Sequence, residues 1–64
     1  VRFRDDERVT VTDPSDRHYE ETGVVEDHYL GMSGATVYLI LLDGRADPLP
    51  FLEPQLALGE RTNA

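Results

Sequence analysis

Ala35-Thr36-Val37-Tyr38-Leu39-Ile40-Leu41-Leu42, followed at once by Asp43-Gly44, is the most apolar stretch of the chain and the one on which its fold turns. It reads as a β-strand closed by a strong turn dipeptide. Successive side chains on a strand point to opposite faces. One face carries Val37, Leu39 and Leu41, the other Tyr38, Ile40 and Leu42. A strand with one wet face shows polar residues on one of its two sets, and here both are apolar. Only one set can fill an interior. Either the segment around Phe3 or the stretch Leu49 to Leu52 folds over the other set, or that set docks a partner or a second copy. Burying three such side chains contributes roughly 4–8 kcal/mol of gross hydrophobic stabilisation. That is comparable with the whole stability of a small domain, so the second face is not expected to stay wet.

Working outward, Arg8-Val9-Thr10-Val11-Thr12 alternates cleanly and reads as a half-buried strand with Val9 and Val11 inward. Asp13-Pro14-Ser15-Asp16 ends it, and the loop runs on through Glu21. Thr22 to Tyr29 reads as a second strand, with Gly23 marking a bulge or a positive-φ bend. The turn Gly31-Met32-Ser33-Gly34 leads into the apolar strand. Beyond Asp43-Gly44, Leu49-Pro50-Phe51-Leu52 reads as a short fourth strand, confined by Pro48 and Pro50 to an edge or an irregular segment. Glu53 to Leu56 makes one 3₁₀ turn, and Ala57-Leu58-Gly59 a last brief strand. No long stretch carries helical apolar spacing free of Pro and Gly. Short strands split by turns predict an all-β fold, a small five-stranded barrel over residues 1–59 with a flexible tail at 60–64.

At 64 residues the chain is one domain, and without cysteine it has neither disulfides nor thiolate metal ligands. No run approaches the roughly 18–20 apolar residues of a membrane span, and the first six residues carry no signal-peptide core. A cytoplasmic location is expected. The net charge is −7 and all cations are arginines: Arg2, Arg4, Arg8, Arg17, Arg45 and Arg61. They are scattered among acidic neighbours, a poor match for a phosphate backbone and a better one for a basic protein surface.

The run Arg8-Val9-Thr10-Val11, then Asp13-Pro14, His18-Tyr19 and Thr22-Gly23-Val24-Val25, followed by Val37-Tyr38-Leu39-Ile40 and by Phe51 with Leu56, resembles SH3-like barrel proteins. Similar members are the KOW-like modules of ribosomal and transcription proteins and the small barrel subunits of photosynthetic electron-transfer complexes, such as photosystem I reaction-centre subunit IV. The likeness spans about Arg8 to Leu56. It implies a five-stranded SH3-like barrel with an accessory role. The departures are chemical: RNA-binding KOW modules are basic, ferredoxin-docking barrels need a positive face, and peptide-binding SH3 domains have a Trp-lined groove. This chain is acidic and lacks Trp.

Candidate chemistry is sparse. His18 and His28, with Asp16, Glu20 or Asp27 beside them, are possible metal ligands, but ten residues apart and without Cys or a HExxH spacing they define no metal site. Asp5-Asp6-Glu7 and Glu20-Glu21 read as solvated charges, because general acids and bases need burial or crowding. No phosphate loop or nucleophile–base pair is present, so neither a catalyst nor a cofactor is expected. The expected function is a non-catalytic protein–protein interaction module. Tyr38, Ile40 and Leu42 are its expected apolar anchor, and Arg17 and Tyr19 its loop contacts, since Arg and Tyr favour binding hot spots. On that assignment Ile40→Asp abolishes association in a folded domain. The alternatives are a KOW-like nucleic-acid or ribosome-associated module and a docking subunit of a redox complex.

Overall fold

The computed structural model describes residues 2–59, so the tail expected at 60–64 lies outside the described residues. The strands are β1 (Arg8–Val11), β2 (Thr22–Leu30), β3 (Thr36–Leu42), β4 (Leu49–Leu52) and β5 (Leu56–Leu58), with a single 3₁₀ turn, Glu53–Gln55, before β5. All pairings are antiparallel, in the order β4-β3-β2-β1-β5. β1 to β4 form a meander, and the 3₁₀ turn carries the chain across to pair β5 with β1. The fold is therefore all-β, with five strands in one sheet. β4 and β5 form its two edges, with no ladder between them, so the sheet curls around its core without the hydrogen-bonded closure that the sequence led us to expect.

The core is Phe3, Val9, Val11, Val25, Tyr38, Ile40, Leu42, Phe51 and Leu56, each at most 3% exposed. Cross-strand partners share a face. Val9 pairs with Gly23 and Gly23 with Leu42, Val25 with Ile40, and His28 with Tyr38 and Tyr38 with Phe51, so these pairs look inward. Phe3 precedes the sheet but belongs to its interior, its ring edge-on to Tyr38 at 5.1 Å. The Tyr38 hydroxyl accepts hydrogen bonds from the Arg2 and Phe3 amides, at 3.1 and 3.5 Å, which holds the lead-in over that end of the core.

Two local expectations are corrected. β1 is buried on both sides: Thr10 is 2% exposed, and its hydroxyl donates to the Gly59 carbonyl at 2.7 Å. Being flanked by β2 and β5, β1 is an internal strand. The β2 bulge lies between Val25 and Asp27 and not at Gly23, and Gly23 has no positive φ. Its glycine serves close approach instead. A Cβ there would stand 2.5 Å from the Leu41 carbonyl oxygen and 2.8 Å from the Leu42 Cα.

Candidate functional site

The inward set of β3 is Tyr38, Ile40 and Leu42, at 0%, 0% and 1% exposure. These were the residues expected to anchor a partner, and that assignment is corrected: they are the core. Phe3, in one of the two segments offered as cover for the second face, joins the same interior. The physical reason lies in the register. Tyr38 is flanked by His28 and Phe51, and Ile40 by Val25 and Leu49, all on the side that curls closed. The other set, Val37, Leu39 and Leu41, looks outward and is half-buried.

The outward set does not stand alone. Tyr29 pairs with Val37 and Val37 with Leu52; Asp27 pairs with Leu39 and Leu39 with Pro50; Val24 pairs with Leu41. Two rows of side chains thus cross β2, β3 and β4 on one face, and a third, Val24 and Leu41, runs on to Arg8 of β1; all but Asp27 and Arg8 are apolar. Tyr29 is 49% exposed and Leu52 43%. Beyond them the β2–β3 hairpin carries Leu30 at 73% and a fully exposed Met32 at its tip. Four of the exposed large apolar residues therefore lie on one face and its adjoining hairpin. The sequence signal was present in the doubly apolar β3, but a strand pattern alone does not say which set is inside.

The bulge gives this face its charge. By accommodating Glu26 as an extra residue, it turns Asp27 outward beside Leu39 and sends His28 inward. Asp27 Oδ1 accepts the His28 amide at 2.8 Å, and His28 Nδ1 lies 3.1 Å from Asp5 Oδ1. Potential ligand atoms of Asp5, Asp27 and His28 lie within 4.8 Å of one another. The structure thus joins Asp27 and His28 to Asp5, and not to His18. His18 sits elsewhere, with only 12% of its side chain exposed, edge-on to Phe51 and 3.1 Å from Glu21 Oε2. It packs into the fold and is not the solvated loop histidine that its polar surroundings imply.

Arg17 and Tyr19 are both exposed, in the β1–β2 loop. In the meander that loop lies at the same end as the β3–β4 loop, which Arg45 links to it by facing Glu21 Oε1 at 3.6 Å. The β2–β3 hairpin is at the opposite end. Arg17 and Tyr19 are therefore not brought together with the row Tyr29, Val37 and Leu52.

A separate polar cluster ties three elements together. Arg8 of β1 donates both guanidinium NH₂ groups to the Asp43 carboxylate, at 3.0 and 2.7 Å, and Thr22 Oγ1 donates to the same carboxylate at 2.7 Å. The Arg8 and then the Thr22 hydrogen bonds lower the Asp43 pKa to about 2. Asp13 is also held below the ordinary value, by hydrogen bonds from Ser15 and then Gln55. These bonds pin the β1–β2 loop beside the 3₁₀ turn and the β3–β4 turn beside β1, and each carboxylate is fully engaged in structure.

The fold and this face define a small all-β domain with an apolar outer sheet surface. No protein-family model, no curated protein and no solved structure matches the chain.

Proposed function

We propose that this chain is a non-catalytic interaction module of SH3-like architecture, an accessory subunit or adaptor that docks to another protein through the outward face of β2, β3 and β4. The observation that carries this reading is the run of outward apolar rows centred on Val37, Leu39 and Leu41, bordered by the exposed Tyr29 and Leu52. Contiguous apolar surface of this kind marks interaction sites. The exposed area of the described structure is 4334 Å². A standard interface takes about 800 Å² from each partner, roughly a fifth of that surface. The nucleic-acid alternative has less support: β2, β3 and β4 contain no arginine, and Arg8 and Arg45 face carboxylates.

The test is affinity capture of the tagged chain from its native lysate, with and without nuclease, alongside the double variant Tyr29→Asp/Leu52→Glu. A protein retained by the parent after nuclease and lost from the variant, with the variant's amide spectrum still that of a folded chain, supports docking through this face. Retention by both chains, or loss of all partners on nuclease treatment, overturns it.

A further inference from the structure

The inference that follows rests on the docking-face reading and names the chemistry of the partner. We propose that the partner presents an apolar strip flanked by arginine or lysine side chains that pair with Asp27 and Glu26, and that it is not a second copy of this chain.

Arg8, in the row of Val24 and Leu41, is held by Asp43, and beyond that pair the charge of the face is one-sided. Apart from His28, which turns inward, and tyrosine, the ionisable residues of β2, β3 and β4 are Glu26 and Asp27, and no cation lies in any of the three strands. Both carboxylates are exposed. Asp27 shares the row of Leu39 and Pro50, so its charge stands within the apolar surface and not at a distant rim. Asp5 adds a third carboxylate close to Asp27, within 4.8 Å by their potential ligand atoms. Like charges this close raise the local negative potential, which favours a cation brought to them.

A partner that covers Leu39 and Tyr29 must also cover Asp27. Covering a carboxylate without a counter-charge is costly, so the partner's matching position has to supply one. A guanidinium suits the task because it spreads its charge over a flat group that also packs against apolar surface. A second copy cannot supply it. Two such faces bring Asp5, Glu26 and Asp27 together, the arginine in their rows, Arg8, is already held by Asp43, and each chain carries a net charge of −7.

Synthetic heptapeptides titrated into the isotopically labelled chain, followed by amide chemical shifts, test this directly. The probes alternate leucine with arginine, leucine with glutamate, leucine with serine, and glycine with arginine. The leucine–arginine peptide is expected to shift Tyr29, Val37, Leu39 and Leu52, and the leucine–glutamate and glycine–arginine peptides to leave them unmoved. The double variant Glu26→Gln/Asp27→Asn should weaken the leucine–arginine peptide about fivefold, the size expected of two partly exposed ion pairs. If the leucine–serine peptide binds the face as tightly as the leucine–arginine one, the docking reading survives and the charge assignment fails. If no peptide reaches these residues, both fail. Sedimentation showing a dimer that the Tyr29→Asp/Leu52→Glu variant dissolves would instead make the occupant a second copy and overturn the proposal.

Discussion

The direction in which one side chain points sets what its replacement does. Ile40 is fully enclosed between Val25 and Leu49 in the inward rows, so Ile40→Asp puts a carboxylate where it meets neither water nor a counter-charge. The expected result is loss of the folded state, at a cost of more than about 4 kcal/mol, and not a folded chain with failed association. Circular dichroism and amide dispersion of the purified variant decide it, and native-like spectra would be incompatible with the enclosed position. Gly23 makes a finer test of the same packing. Gly23→Ala drives a methyl against the Leu41 carbonyl and the Leu42 Cα, both backbone, which have little room to yield. A loss of about 1–3 kcal/mol in urea unfolding is expected. A neutral substitution would mean that β2 and β3 are further apart than described.

Elements are tied by contacts that their own sequences do not announce. Phe3 lies outside every strand, yet its ring fills the interior against Tyr38. Phe3→Ala should cost about 3–5 kcal/mol, a large share of what a small domain has. Urea unfolding measures it, and a cost near zero would show that the lead-in does not pack on Tyr38. The Arg8–Asp43–Thr22 cluster links β1, β2 and the β3–β4 turn, and it makes stability depend on pH. Asp43 titrates at about 2 in the fold, against an ordinary 3.8. Because the folded value is the lower one, the stabilisation is fully present above the unfolded value. It is lost as pH falls from about 4 towards 2. Asp13 acts in the same direction. Asp43→Asn should therefore lower the thermal midpoint at pH 7 while flattening its fall between about pH 4 and pH 2. Parallel curves for parent and variant would mean that Asp43 is not paired in solution.

The molecule as a whole separates its two apolar surfaces by curvature. The sheet curls so that one set of β3 meets Phe3, Val9, Val11 and Phe51, and the other set is left facing out across β2 and β4. Substitutions on the outward rows are therefore expected to spare folding. Tyr29→Asp/Leu52→Glu should change unfolding free energy by no more than about 1 kcal/mol, because both side chains are already nearly half exposed. A much larger loss would mean that this face is sealed within the chain and unavailable to a partner.

By itself the sequence determined the number and kind of elements. Alternation in Arg8 to Thr12, the glycine and proline turns, the Asp43-Gly44 pair and the Glu53-Pro54 turn placed all five strands and the 3₁₀ turn within a residue or two, because those signals are local. It also determined the double apolarity of β3. Only the tertiary structure decided which β3 set is inside, that Phe3 fills the core, that the bulge falls at Glu26, and that Asp5 meets His28. Each of these depends on register and curvature between segments up to 35 residues apart in the chain, as Phe3 and Tyr38 are. A period-two pattern is unchanged when its two faces are exchanged.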